Sequence, residues 1–491
     1  MSKPMRKTPL FLAAAALSAC AVGPNYHRPS APAPSGYKEA EGWKPAEPRE
    51  AASGTDWWRV YEDAVLDDLE HQLKVSNQTL KASEAAWRAA VAAAQVAGAQ
   101  IYPTTELTGS AQRSRGAVNS YVTSGSVSGS TSATRPEPVN QFAVTGSASW
   151  DLDIWGKIRR TIESDVATAK ASEADLAAAR LSAQATLAVD YIELRVTDEQ
   201  IQLLADTVKG YQRSLDITRN QYKVGVAAKA DVITAATQLE GAQSQQIGLG
   251  VTRATLEHAI AVLVGKPPAD FSIAPATFGS AIPVVPAGVP SALLERRPDI
   301  AEAERKVAAA NAQIGVAISA YFPDLTLSGT YGFASSVSGG LLRAPNNVWS
   351  VGAAASDALL DFGARRYQVA QARAAYDGTV ASYRQTVLAA FQQVEDELAT
   401  LRILEQQYQV ADQTVKDANL AVQLALNQYK AGIVAYTAVV TAQATALTDA
   451  QALLSIRQSR LVASATLIEA LGGGWSASDL SSVHVALPVP L

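Results

Sequence analysis

Chemistry needs particular side chains at particular spacings, and this chain offers few candidates. Its four histidines, His27, His71, His258 and His484, sit in unrelated contexts with no metal-ligand spacing. Asp151-x-Asp153 precedes a glycine like the start of a calcium loop, but position 162 is Ile where such a loop needs Glu. Gly472-Gly473-Gly474 follows a helical stretch instead of opening one, so it ends a helix and does not cradle phosphate. With no nucleophile elbow and no supported acid–base pair, neither enzyme, cofactor nor metal is expected. There is no basic stripe with interleaved aromatics, which argues against nucleic acid. One reactive group remains: Cys20, the single cysteine of 491 residues. Alone it closes no internal disulfide, so it is a buried apolar residue, a reactive thiol, an intermolecular partner or a modification site.

The surroundings of Cys20 narrow that choice. Lys3, Arg6 and Lys7 form a positive start, and Leu10 to Leu17 form a short apolar run with small residues before the cysteine. The run is too short to span a bilayer, which takes ~20 residues. Leu17-Ser18-Ala19-Cys20 resembles a bacterial lipobox, and Ala21 where a retention signal would have Asp implies an outer-membrane destination. Residues 1–19 therefore read as a signal peptide and Cys20 as a lipidation site. Net charge is −5, and about −8 once the three leader cations are removed, which bears on solubility and not on fold.

The elements that place this chain in space are long. Hydrophobic residues make up 48%, with only 8 Phe and 2 Met, so the apolar content is mostly Ala, Leu and Val, suited to thin helix–helix seams. Proline is absent between Pro138 and Pro267 and again between Pro345 and Pro488, which permits very long helices. The two tracts are duplicates. QYKVG (221–225) recurs as QYKAG (428–432), and the same offset of 207 maps Gly156 to Gly363, Arg195 to Arg402, Arg253 to Arg460 and Gly265 to Gly472. A 4-3-4-3 seam running from Leu187 through Asp198 and Leu215 to Tyr222 repeats from Val394 through Glu405 and Val422 to Tyr429. A second stripe, Val189, Ile192, Val196 and Leu203, calls for neighbours on both sides of the helix.

Four segments alternate instead. Strands are expected at about 104–114, 141–153, 324–334 and 347–359, the ~9–11-residue length of a transmembrane β-strand. Each pair encloses a loop, 113–138 or 334–347. The long helices 157–222 and 364–431 each span ~100 Å at 1.5 Å per residue. On length, the return helix 233–264 and the helix 291–322 together match one long helix. The second return helix, 439–471, is completed by the N-terminal helix at about 62–102. Four strands cannot close a barrel, which begins at ~8, whereas three chains supply twelve. The expected fold is mainly α with a small transmembrane β part. Its organisation is a lipidated extended segment 20–60, a first repeat 61–266, a Pro-rich linker 267–290, a second repeat 291–472 and a tail 473–491.

CAVGPNYHRP (20–29), LLERRPDIAEAE (293–304), the Tyr-Phe-Pro at 321–323, the two YKxG tips and ALGGGW (470–475) resemble the TolC-like outer membrane efflux channels, closest to the lipoprotein branch that serves RND-type pumps. The resemblance implies a homotrimer with a twelve-stranded barrel and a periplasmic α-barrel. It also implies a periplasmic adaptor and an inner-membrane pump as partners, with passive conduction of drugs or other toxic small molecules. By position it marks Tyr222–Gly225 and Tyr429–Gly432 as the helical tips that meet the adaptor and constrict the pore. The family's acidic residues follow the tip tyrosine by nine or twelve positions. Asp231 fits in the first repeat, whereas Ala438 and Thr441 stand there in the second, with VTAQ (440–443) in place of LDAQ. An exposed helix-start carboxylate is the plainer reading of Asp231. Two other readings stay open: a protein-secretion channel of the same architecture, and a structural coiled-coil lipoprotein of the periplasm.

Overall fold

In the computed structural model the residues described are 21–32, 34, 36–39, 56–115, 137–279, 282–283 and 293–481. Cys20, the leader 1–19, most of the loop 113–138 and His484 lie outside them. Beside shorter helical turns, seven helices of 13 residues or more and four strands are present among these residues: α1 (Ala64–Ser76), α2 (Gln78–Ala99), β1 (Thr104–Ser114), β2 (Val139–Asp151), α3 (Lys157–Lys223), α4 (Lys229–Leu263), α5 (Pro298–Ser319), β3 (Asp324–Ser335), β4 (Asn347–Ser356), α6 (Ala364–Lys430) and α7 (Tyr436–Ala470).

The two 67-residue helices α3 and α6 are the frame, each ~100 Å long. Both start after a glycine that has no side chain to cap the first turn. Asp153 serves α3 instead, accepting from the N–H groups of Ile158 and Arg159, both at 2.9 Å. Asp361 does the same for α6, accepting from Gly363 and Arg365. Two helices are shorter than their sequence patterns suggest. The N-terminal helix breaks at Asn77, whose extended backbone (ψ 123°) ends α1 while its side chain caps α2 through Leu80 N–H. Helix α5 begins only at Pro298, because the residue before a proline is driven out of the helical region and Arg297 sits at ψ 122°.

The short helices stack differently from the length argument. α2 and α4 both pack on α3 and form one column, while α5 and α7 both pack between α3 and α6 and form the other. The decision is made at two junctions. At the end of α4, Gly265 (φ 72°) lies so close to Ser76 that a Cβ would come within 2.5 Å of its carbonyl oxygen, and Asn77 Nδ2 donates to Leu263 O at 2.8 Å. At the end of α7, Gly472 (φ 95°) meets the Arg296 carbonyl in the same way, and Arg297 donates to Ala470 O at 3.0 Å. Only glycine tolerates both the positive φ and the approach. These two glycines are the offset-207 pair, so the duplication encodes the joints as well as the rods.

The described residues 22–32 and 36–39 lie as a strap along α3, α5 and α6. Val22 N–H donates to Trp155 O, Arg160 holds the carbonyls of Val22 and Gly23, and Tyr26 bonds Glu304. Lower down, the Glu395 carboxylate accepts from the N–H groups of Lys38 and Glu39. The main core sits at the waist, where Trp57, Tyr61, Tyr191, Phe278, Tyr383 and Leu461 are buried together. A second, smaller core lies near the tips.

Candidate functional site: the membrane sheet and the hairpin tips

The sheet runs β1-β2-β3-β4, antiparallel throughout, with β1 and β4 as free edges. Its register sorts side chains by chemistry. One transverse row is Leu107, Gly146, Tyr331 and Trp349; the next is Glu106, Ser147, Thr330 and Ser350. Successive residues point to opposite faces. One face therefore carries Leu107, Val144, Leu327, Tyr331, Phe333, Trp349 and Val351, and the other is Ser/Thr-rich. The Thr330 and Ser350 hydroxyls meet at 2.7 Å on that polar face. Leu107 is 77% exposed and Val351 80%, an apolar surface that water does not favour. Among the described residues no helix is long and apolar enough to cross a membrane. The sheet carries the membrane-facing surface. Trp150 and Trp155 close its base, donating to the carbonyls of Ile101 and Pro323.

At the far end both long helices stop in the same glycine turn. Val226 N–H reaches back to Gln221 O and Ile433 N–H to Gln428 O, each at 2.9 Å, with Gly225 at φ 79° and Gly432 at φ 72°. The matching sequences do not give matching surfaces. Tyr222 is 46% exposed, whereas Tyr429 is 6% exposed and packs against Tyr436 at 5.1 Å between ring centroids. Burial raises the Tyr429 hydroxyl above its ordinary pKa and pushes Tyr436 up to about 12. Gln443 Nε2 donates to Ser214 Oγ, and Tyr211 Oη donates to Gln443 O, so the two hairpins are tied together. Asp231 Oδ2 accepts from Ala228 N–H at 3.2 Å across the start of α4. Thr441 and Gly225 are exposed on separate hairpins.

The waist holds what sequence reasoning did not anticipate. Asp198 is buried and accepts from Arg253 at 2.7 Å, with Arg195 at 3.5 Å. One repeat later, Glu405 pairs with Arg460. The offset of 207 matches Asp198 to Glu405 and Arg253 to Arg460, so a signal was present in the duplication but not the pairing. These charges hold the strand-like segment 273–278. Ile273 and Ala274 carbonyls accept from Arg253 and Arg195, and the N–H groups of Ala276 and Phe278 donate to Asp198 and Glu199. A segment outside any sheet needs side-chain partners for its backbone, and here charged groups supply them.

A membrane-facing sheet set on ~100 Å of helical hairpin is the architecture of an envelope-spanning membrane protein, and among the described residues there is no catalytic constellation. Residues 69–266 and 289–473 match the outer membrane efflux protein family, and the chain belongs to that family. It is 30% identical over 476 residues to the toluene efflux pump outer membrane protein TtgC of Pseudomonas putida, covering 96% of each chain. It is 27% identical over 490 residues to the outer membrane protein OprJ of Pseudomonas aeruginosa, covering 99% of each. The solved outer-membrane channel OprN superposes with a TM-score of 0.85 at 27% identity, over 93% of this chain and 100% of that one. The fold is TolC-like, and the protein is an outer-membrane efflux channel with a long periplasmic extension, not an enzyme.

Proposed function

We propose that three copies of this chain form the exit duct of a tripartite, RND-type efflux system, and that the duct passively conducts small organic molecules handed on by a periplasmic adaptor and an inner-membrane pump. The observation that carries this reading is the pair of unsatisfied edges. β1 and β4 are free on opposite sides of a sheet whose apolar face belongs in lipid, where an open edge is not tolerated. The helices have the same handed incompleteness: α3 has helices on both sides, whereas the helices packed along α6 are α5 and α7, and Leu388, Ile403 and Leu420 are exposed on it. An edge of one copy meeting the opposite edge of the next is a head-to-tail contact, which forms a ring when the rotation between copies closes. Three copies give twelve strands and a helical barrel.

In this reading the two repeats, 61–266 and 291–472, each supply one column, one long helix and one tip. The tips at Tyr222–Gly225 and Tyr429–Gly432 meet the adaptor and narrow the pore, and Asp231 and Thr441 stand on the return helices beside it. Lipidated Cys20 tethers the strap at the membrane, since Ala21 lies against Gly156 at the foot of the sheet. The cargo follows the relatives: TtgC is named for toluene efflux.

Purified protein is expected to elute as a trimer and to give stepwise currents in a planar bilayer. A monomeric protein without conductance would sink the reading in favour of a structural lipoprotein.

A further inference from the structure

The second repeat copies the first to the residue. Adding 207 to the bounds of α3 and α4 gives α6 and α7, and adding 220 to those of α2 gives α5. The sheet follows: Thr104 opposite Ser149 in the first strand pair becomes Asp324 opposite Ser356 in the second. Within the chain, α3 and β2 of the first repeat meet α5, α7 and β3 of the second. Each position on this inner seam therefore has a counterpart on a face that one chain leaves bare.

Exposure follows the duplication. Leu181, Leu203 and Ile217 on α3 are half-buried, whereas their counterparts on α6, Leu388, Val410 and Leu424, are exposed, Val410 at 69%. On the other side of the seam Val440 and Leu454 of α7 are half-buried. Their counterparts on α4, Ile233 and Ile247, are exposed, Ile247 at 77%. Since α6 keeps the helices of its own repeat, these two apolar stripes lack only each other.

The polar ties do not follow it. Three side-chain pairs cross the inner seam: Gln313 donates to Ser164 at 2.9 Å, Arg457 to Glu199 at 2.6 Å and Gln443 to Ser214 at 2.9 Å. The positions equivalent to the three donors hold Ala93, Gly250 and Ala236, and those equivalent to the acceptors hold Gln371, Gln406 and Ala421. Without the donors, none of these bonds is made a second time. Apolar contact is non-directional, so two stripes can slide where a hydrogen bond fixes one geometry.

We propose that neighbouring copies join through these stripes in the positional map of the inner seam but without its ties, so that the α-barrel parts between copies while each copy moves as one tied pair of hairpins. The proposal rests on the trimer proposed above and adds which residues meet and which joint yields.

Disulfide cross-linking of the full-length protein in isolated membranes tests the map. Ser147 opposite Thr330 on the inner seam places Ala354 opposite Ser110 of the next copy. Ala354→Cys with Ser110→Cys is expected to give covalent trimers on a non-reducing gel. Ala354→Cys with Gln112→Cys, two residues out of register, is expected to give few, because the distance exceeds what a disulfide spans. Both variants carry Cys20, so the shifted pair controls for it.

Grafted ties test the yielding joint. Ala236→Gln with Ala421→Ser, and separately Gly250→Arg with Gln406→Glu, rebuild two of the missing bonds between copies. One hydrogen bond shifts an equilibrium about fivefold and a trimer gains three. Each graft is therefore expected to cut the frequency of full openings in a planar bilayer by on the order of 100-fold, with the single substitutions near the parent. If one graft prevents assembly on sizing, the other decides. A trimer that cross-links best at the shifted pair, or opens as often with the grafts as without, overturns the proposal. A monomer on sizing overturns the trimer itself.

Discussion

Gln443 on α7 donates its side-chain amide to Ser214 Oγ on α3 at 2.9 Å, and both residues are buried. The contact joins two hairpins whose residues stand 229 apart in the chain, and the Tyr211 hydroxyl doubles it by donating to the Gln443 carbonyl at 3.3 Å. Around it lie Tyr436, Val439 and Leu215, so the tie is made inside the tip core and not on its surface.

Gln443→Leu is expected to loosen the hairpins without unfolding the rod. It removes the donor to Ser214 and leaves that hydroxyl buried without this partner, at a cost of about 1–3 kcal/mol. Hydrogen exchange over 211–218 and 436–443 is expected to speed up, with single-channel conductance raised. Unchanged exchange in both segments would show that the tie carries no load.

Asp198→Asn is expected to destabilise the waist by about 3–5 kcal/mol. Asp198 is the shared counter-charge of Arg195 and Arg253, and removing one partner of a buried ion pair leaves the other charge uncompensated. Asn keeps one acceptor oxygen where Asp198 has two, so Ala276 N–H and Arg253, which bond to different oxygens, can no longer both be served. The readouts are the melting temperature and proteolytic cleavage near 271–283. Glu405→Gln at the matched position, where Glu405 is about half-exposed, is expected to cost far less.

Glu70 gives a pH dependence with a definite sign. It is fully buried on α1 with neither oxygen hydrogen-bonded, and burial pushes its pKa from 4.5 to about 9. Asp56 and Asp67 nearby push in the same direction and Lys74 opposes them. Below about pH 4.5 both folded and unfolded chains hold the proton. Between there and about 9 only the folded chain holds it, so stability falls as pH rises through that window. Glu70→Gln keeps the shape without the proton. It is expected to raise the melting temperature at pH 7, by a free energy on the order of 3 kcal/mol, and to flatten the slope of melting temperature between pH 5 and 9. A variant with the same slope as the parent would refute this origin.

The tip carboxylates separate capping from conduction. Asp231→Ala removes the bond to Ala228 N–H and is expected to cost about 1 kcal/mol at the start of α4. If Asp231 also lines the pore, block by added calcium changes with it. Thr441→Asp places a carboxylate on the exposed face of α7 and is expected to increase calcium block without changing assembly. Identical calcium titrations for parent and both variants would remove these positions from the pore.

On the proposed lipidation of Cys20, Cys20→Ser is expected to lower delivery to the outer membrane or retention there more than it lowers conduction. A single acyl chain binds a membrane only marginally, and the sheets already hold the protein in lipid. Fractionation of cells measures the first effect and bilayer currents the second. Loss of current from correctly placed unlipidated protein would show that the anchor shapes the channel itself.

Helices, strands and duplication were legible in the sequence because each is a local or periodic property. Alternation over ten residues sets which side of a strand is apolar, and the absence of proline over more than a hundred residues allows a 67-residue helix. The offset of 207 marked Gly265 and Gly472 as equivalent. It did not say what they touch. Which short helix stacks on which was settled by contacts between residues distant in the chain, Gly265 with Ser76 and Gly472 with Arg296, and helix lengths alone favoured the other pairing. The same limit applies to the tips: Tyr222 and Tyr429 occupy identical motifs, yet only Tyr429 has a Tyr436 to bury it. By itself the sequence determined the elements and their twofold repetition, because these follow from side-chain periodicity. The tertiary structure alone decided the columns and the Gln443–Ser214 tie, because each depends on a partner that no local pattern encodes.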